Sequence, residues 1–473
     1  MLEKINNFGD KIAFSSKEKS YSYRELCGVI QNLVRIFQDK EFCEIAICMS
    51  HGIDYAVYAL AAIEAGIHAY LLHPNVSRNT LETLEKNKVS IYVDSKNENR
   101  IRQIYDNEMI VLVPSVDNQT IPEFEVKEWR TKEFTAKIIL TTSGTTSERA
   151  KFVSIPFQNI MLKSIMIAEL FKIQVSDKTL MISPLCFVQA FWTMLIHMLK
   201  GGNVFFDAFQ PKEFDTLLKR EKITTFITTP AVIRGVIKNN EAPYALRLLS
   251  IGGDYMDKEL LELLHKKWPD VAYANVYGAT ETCAADVVFI PRKFKEMDET
   301  FYSLGKASQY SRVFVVDEND HVLPENREGV LCIQSPFLIE NYYHTTDLIR
   351  NEKGYFKTYD IGYVDEKGYV YYKGRASSII VYNGEKISSY EIENLLYQLQ
   401  GVREAIVIGK KHEIYGQIPI AYIVKNGNLT EEMVREYLEQ RLEKYKLPRE
   451  IRFVEKLQRT NSGKLIRRES AYE

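Results

Sequence analysis

Residues 137–153, KIILTTSGTTSERAKFV, decide how the rest of the chain is read. The apolar run Ile138 to Leu140 fits a short buried strand, and it ends in seven small residues, Thr141 to Ser147, before a large side chain returns. Hydroxyls and unobstructed backbone N–H groups in such a loop can wrap an anion, as turn-formed nests and phosphate loops do. Phosphate is the natural guest. Gly144 is not followed five residues on by Gly-Lys, so the P-loop order of the NTPases is absent. Alone, the stretch reads equally as a solvated Ser/Thr loop.

Upstream, strands and helices alternate. Ser22 and Glu25 form a capping box, and Leu26, Val29, Ile30, Leu33 and Phe37 recur at helical spacing, which predicts a helix over about Tyr23 to Gln38. Strand-like EIAICMS, a helix capped by Asp54 and ended by Gly66, HAYLL, a helix opened by Ser77, and VSIYVD follow. Downstream come TLMISP, a helix stopped by Gly201 and Gly202, NVFFD, a helix from Pro211, ITTFITTP, ALRLLSIGGD, a helix carrying Leu260, Leu261 and Leu264, and VAYANVYG. Such alternation needs crossover helices, so it predicts two successive α/β layers with largely parallel, buried sheets. Ligands of open α/β sheets bind beyond the carboxyl ends of strands, where Thr141, Gly252 and Tyr277 all fall.

From Ser311 the texture changes to short strands joined by Asp/Asn and Pro/Asn turns, which predicts a small β subdomain over about residues 305–373. Beyond Gly374 the pattern strand, strand, helix, strand fits a compact α+β domain. The fold class expected is therefore α/β: a large N-terminal domain, residues 1–373, of two α/β layers plus the β subdomain, then a small α+β C-terminal domain, residues 374–473.

With 61 Lys and Arg against 63 Asp and Glu, the formal charge is −2, and no basic block marks a nucleic-acid or anionic-membrane surface. The opening residues lack a signal-peptide core, and Glu64 and His68 break the apolar run from Ala56, so a cytoplasmic protein with neither partner is expected. Six cysteines without C-x-x-C spacing read as reduced, structural thiols. Cys283 has no neighbouring His to serve as its base.

Four further motifs carry chemistry. VYGATET at 276–282 offers a flat aromatic plate at Tyr277, a close approach at Gly278, a hydroxyl at Thr280 and a hard oxygen ligand at Glu281. Asp360 could accept two hydroxyl donors or simply cap a turn after Thr358, and Arg375 alone could be a surface ion pair. GRASSIIVYNGEKISSYEIE at 374–393 and QRTNSGKLIRR at 458–468 complete the set.

Taken in order, these stretches resemble the signatures of the adenylate-forming superfamily: acyl- and aryl-CoA synthetases, adenylation domains of nonribosomal peptide synthesis, and luciferase. TSGTT is similar to the family's phosphate loop, with Ser147 where the family has Gly and Lys151 one residue late; YGATE matches Y-G-x-T-E; Tyr359-Asp360 stands where the family has Gly-Asp. The resemblance runs from Glu25 to Lys464 and implies ATP and Mg2+ as cofactors. It assigns the leaving phosphates to Thr142, Ser143, Gly144, Thr145, Thr146 and Lys151, the adenine to Tyr277 with Gly278, and the ribose to Asp360 and Arg375. Thr280 would meet the α-phosphate, Glu281 the metal, and Lys464 the transition-state charge. Ser377 takes the place of the hinge of a mobile C-terminal domain, and Gly384 that of the loop turned toward the thiol. The acid would lie against Phe187, Val188, Phe191, Gly252 and Gly253. Val188 stands where amino-acid-activating relatives carry an aspartate, so an unpaired substrate ammonium would be buried at a cost of several kcal/mol. The implied reaction is adenylation of an aryl or aliphatic acid lacking an α-amino group, followed by thioester formation on coenzyme A or a separate acyl or peptidyl carrier protein. A non-catalytic binding protein of the same fold, or an adenylating enzyme with a different second step, are the alternatives.

Overall fold

The structure, a computed structural model, describes residues 1–38, 43–105, 107–116, 136–141, 151–208, 210, 213–237, 245–254, 256–345, 348–459 and 465–472. Local signals set most element boundaries. The Ser22 amide donates to Glu25 Oε2 at 2.8 Å and the Glu25 amide to Ser22 Oγ at 3.2 Å, and the helix Tyr23–Gln38 starts there with Leu26, Val29, Ile30, Leu33 and Phe37 buried. Ser77 caps Arg78–Lys86 by accepting from the Thr80 amide, and Asp257 caps Lys258–Lys267 by accepting from the Leu260 amide. Asp54 does not cap its helix. Ile53–Glu64 starts after Gly52, and Asp54 lies in the first turn, paired with Lys19 at 2.9 Å. The reason is burial all round: ten residues of this helix are interior, so packing rather than a polar cap fixes its start.

Among the described residues, the first α/β layer is a six-stranded sheet containing Glu44–Cys48, His68–Leu71 and Ser90–Val93, parallel except where Lys137–Thr141 pairs antiparallel with Phe152–Pro156. The second is a thirteen-stranded sheet. Its parallel part runs through Lys178–Met181, Asn203–Phe206, Thr225–Thr228, Leu248–Ile251 and Ala272–Tyr277. The segment expected as a β subdomain, about 305–373, continues this sheet: beyond Val287–Lys293, the strands Gly305–Ala307, Tyr369–Arg375, Phe356–Val364 and Gly329–Gln334 follow one another antiparallel. At the opposite edge Ile12–Ser15 joins it, with Phe14 opposite Val204. The largest apolar cluster draws on both layers, with Ile45, Ile138 and Val153 from the first and Phe14, Met181, Phe206 and Ile227 from the second. Helices 23–38, 53–64, 157–170 and 188–198 also contribute to it.

The C-terminal residues pack a core of their own. Among the described residues, Ile380, Ile387, Ile392, Leu396, Val407, Ala421 and Val434 belong to a cluster with no member before Ile380. It lies on a five-stranded sheet that includes Ile379–Tyr382, Val402–His412 and Gly416–Lys425, covered by Ser389–Gln398 and Glu431–Glu439. Among the described residues, no helix is long and apolar enough to cross a membrane.

Candidate active site

Three residues far apart in sequence meet at the carboxyl end of strand Ala272–Tyr277. The Tyr277 hydroxyl donates to Asp360 Oδ2 at 2.7 Å, and Arg375 Nε donates to Asp360 Oδ1 at 3.1 Å. Asp360 and Arg375 are register partners on adjacent antiparallel strands, so pairing of the sheet itself sets the contact. The Asp360 amide donates to Thr358 Oγ1 at 3.0 Å, which is the turn contact open in the sequence, yet its carboxylate faces Tyr277 and Arg375. A carboxylate offers about four acceptor sites, so two protein donors can orient it and leave capacity for further donors. Tyr277 packs on Val287, Val315, Leu331 and Val370, and burial together with the Asp360 charge pushes its hydroxyl well above the usual tyrosine range. It stays a neutral donor.

Thr280 and Glu281 follow in a short 3-10 turn, Thr280–Thr282. Tyr342 donates its hydroxyl to Glu281 Oε1 at 3.0 Å, and the Ile339 amide donates to the Glu281 carbonyl at 3.1 Å. The ammonium of Lys151 lies 4.7 Å from the centre of the Tyr342 ring. Tyr342 thus brings Lys151, beyond the phosphate loop, next to Glu281. Sequence reading missed Tyr342, since long-range contacts, the bridge of Phe152 with Tyr343 and the Ile339 amide on the Glu281 carbonyl, seat that segment here. One carboxylate on a turn beyond a strand end suits Mg2+, which keeps several waters and takes phosphate oxygens. No group of three His, Cys, Asp or Glu ligands occurs among the described residues.

A buried ion pair lies behind the turn. Lys163 Nζ sits 2.9 Å from Asp286 Oδ1, the two side chains being 1% and 0% exposed. Asp286 also accepts from Ser311 Oγ at 2.7 Å and from the Thr282 hydroxyl, and Lys163 donates to the Ala284 carbonyl at 2.5 Å. Burial pushes the Asp286 carboxyl up, against the pull of Lys163. Between them Cys283, Ala284 and Ala285 all adopt left-handed φ, at 63°, 56° and 54°. For residues with a Cβ this conformation costs about 1–2 kcal/mol each. Gly278 was read as admitting a ligand; a Cβ there would lie 2.6 Å from Asp286 Oδ2, so the glycine makes room for the carboxylate. Cys283 is buried and its thiol is pushed up to about 12 by that burial, which favours the protonated thiol.

Around the expected acyl pocket, Phe187 is the N-cap of helix Val188–Met198 and Val188 its first residue, both half-buried, with the Phe187 ring 6.3 Å from that of His73. Phe191 is fully buried in the main core and so backs the region rather than lining an open slot. Gly252 and Gly253 follow strand Leu248–Ile251; a Cβ on Gly253 would stand 3.2 Å from Gln189 Oε1, which identifies Gln189 as a neighbour not singled out in the sequence.

Thr142, Ser143, Gly144, Thr145, Thr146 and Lys464 lie outside the described residues. Ser377 falls in the turn Ala376–Ser378, and Gly384 at φ 86° turns the hairpin between Ile379–Tyr382 and Glu385–Ser388. The edge of the C-terminal domain reaches the strand that carries Arg375: Tyr372 meets Tyr390 edge-on at 6.0 Å, and Arg467 stacks on Tyr390 at 4.1 Å while pairing with Glu393 at 2.7 and 2.8 Å. Arg467 is three residues beyond Lys464.

The chain matches known proteins over nearly its whole length. A sequence model described as AMP-binding enzyme matches residues 2–343, and one described as AMP-binding enzyme C-terminal domain matches 391–464. The chain belongs to the AMP-binding enzyme family. Within that family it is similar to the 2-succinylbenzoate–CoA ligase of Bacillus cytotoxicus, 26% identical with 97% of this chain and 95% of the relative covered. It is also similar to that of Oceanobacillus iheyensis, 30% identical over 62% of this chain and 60% of the relative. Among solved structures, the o-succinylbenzoate CoA synthetase (MenE) of Bacillus subtilis with its acyl-adenylate intermediate superposes at TM-score 0.85, 23% identity, covering 98% of this chain and 96% of the other. ATP-bound MatB from Rhodopseudomonas palustris superposes at 0.86, 20% identity, covering 98% and 97%. The α/β family fold read from the sequence is borne out over nearly the whole chain.

Proposed function

We propose that this chain is an AMP-forming acid–thiol ligase using ATP and Mg2+. The acid carboxylate attacks the α-phosphorus of ATP, pyrophosphate leaves, and a thiol then attacks the acyl-adenylate carbonyl, releasing AMP and a thioester. The observation that carries this reading is the joining of Tyr277, Asp360 and Arg375 into one contact set, with Thr280 and Glu281 on the turn that follows the same strand.

In this reading Tyr277 presents its ring to adenine, and Asp360, oriented by Tyr277 and Arg375, accepts from the ribose hydroxyls. Thr280 donates to the α-phosphate. Thr142 to Thr146 and Lys151 face the leaving phosphates, and Lys464 meets charge developing at phosphorus. Mg2+, when held by Glu281 and phosphate oxygens, offsets phosphate charge. Residues 1–373 and 374–473 act as two domains turning about Ser377, the second orientation presenting the Gly384 loop to the thiol. The CoA ligases among the relatives favour coenzyme A over a carrier protein as acceptor.

The acid is aromatic or aliphatic and carries no α-amino group, because Val188 and the neutral Gln189 supply no counter-charge for an ammonium. Pyrophosphate exchange into ATP tests the reading, with 2-succinylbenzoate, benzoate, phenylpropanoate, a medium-chain acid and phenylalanine as the panel. Exchange that needs divalent metal and rejects phenylalanine is expected. Cleavage to ADP, exchange without metal, or tight nucleotide binding with no exchange by any acid refutes it.

A further inference from the structure

The pair Lys163–Asp286 is costly as a stabilising device. Two charges withdrawn from water gain little over an apolar pair of the same shape. These two are spent on one loop. Among the described residues, their polar side-chain contacts run to the segment that begins at Tyr277, at the Ala284 carbonyl and the Thr282 hydroxyl, and to the Ser308–Ser311 turn that closes over it, where the Ser308 amide donates to the Asp286 carbonyl at 2.8 Å and Ser311 Oγ to its carboxylate. Thr282 Oγ1 in turn accepts from the Ala279 amide at 3.2 Å, so a chain of hydrogen bonds runs from the buried carboxylate to the residue before Thr280. Thr280 and Glu281 lie inside that clasp. The left-handed run 283–285 turns the Ala284 carbonyl to the ammonium, and Gly278 lacks the Cβ that would collide with the carboxylate. Phe337 lies 5.4 Å beneath the ammonium and, two residues before Ile339, ties the other strap over Glu281 to the same cation.

We propose that Lys163, Asp286 and Thr282 are positioning residues for the phosphate and metal step: a buried electrostatic clasp that holds the Thr280 hydroxyl and the Glu281 carboxylate in place before ATP arrives. None of the three touches substrate. The inference rests on the ligase reading above for what the turn binds, but not for the clasp itself.

Lys163→Met with Asp286→Leu removes both charges without leaving either unpaired, and Thr282→Val breaks the link to Ala279 while leaving the pair intact. Three readouts apply to each variant. Amide hydrogen exchange in the nucleotide-free chain should show the 277–286 segment opening at least 10-fold faster, with helix 157–170 unchanged. AMP binding, measured by calorimetry, should weaken much less than turnover, since adenine and ribose are held by Tyr277 and Asp360. Turnover in pyrophosphate exchange should fall about 10- to 100-fold, and the Mg2+ concentration for half-activity should rise by a similar factor, the scale seen when residues that orient a metal ligand are removed. Lys163→Arg, which keeps the charge opposite Asp286, should retain more turnover than the double variant. Wild-type protection of 277–286 together with wild-type turnover in Thr282→Val, or in the double variant, overturns the clasp. If the wild-type protein exchanges no pyrophosphate with any acid, the ligase reading fails instead, and the hydrogen-exchange comparison still decides the clasp.

Discussion

Acidification should destabilise the folded chain, and His197, on the helix that carries the expected acyl pocket, is one reason. This histidine is fully buried near the end of helix Val188–Met198, with Nε2 2.8 Å from Thr225 Oγ1 and Nδ1 2.9 Å from the Thr193 carbonyl. Burial lowers it from 6.5 to about 4, so it is neutral in the folded protein. Between those two values the unfolded chain binds a proton that the folded chain does not, so stability rises with pH across this window and is lost as pH falls from 6.5 toward 4. At about pH 5 the unfolded site is mostly protonated and the folded site hardly at all, which costs about 2 kcal/mol relative to pH 7.5. Asp177, held down by Arg247 against its own burial, titrates below this window, whereas His51, His68 and His73, all lowered mainly by burial, add to the slope with the same sign. His197→Gln separates the contributions, because glutamine keeps a hydrogen-bonding side chain and cannot titrate. Urea unfolding followed by the fluorescence of the buried Trp192 and Trp268, at pH 7.5 and pH 5, should show the variant losing about 2 kcal/mol less than the wild type over that interval. Equal losses in the two proteins would mean that His197 is not a buried neutral group, and the reasoning fails.

Further outcomes follow from the site. Asp360→Asn removes the charge that orders Tyr277 and Arg375, and kcat/KM for ATP should fall roughly 10- to 100-fold, as expected for a lost charge-assisted hydrogen bond, with the KM for the acid little changed. Tyr342→Phe keeps the ring beside Lys151 but takes the hydroxyl from Glu281; a rise of about 10-fold in the Mg2+ needed for half-activity is expected, with Mg2+ titrations at fixed ATP as the check. Lys464→Ala should slow adenylate formation by about 100-fold or more while largely sparing thioester formation from a premade acyl-adenylate, because only the first step develops charge at phosphorus; half-reactions assayed separately would expose an equal loss in both.

Sequence alone determined whatever is written in short-range chemistry. The capping box at Ser22 and Glu25 placed a helix start, the alternation of apolar runs gave two α/β layers, and the order of TSGTT, YGATE, Asp360, the 374–393 stretch and Lys464 named the family. Each of these signals is a pattern over a few neighbouring residues, fixed by turn geometry or side-chain period. Tertiary structure decided which distant segments share a surface. Asp54 looked like a cap, but the packing of an all-round apolar helix set the start instead. Ile12–Ser15 joined the second sheet by pairing with residues near 204, and the β subdomain fused to that sheet through Gly305–Ala307. Tyr342 reaches Glu281 from 61 residues away and Lys163 reaches Asp286 across 123, and no local pattern announces either contact. Nothing in the sequence sets Lys163 and Asp286 apart from other charged residues. Only the closing of two packed layers around them takes away the water, and that loss of solvent makes each the necessary partner of the other.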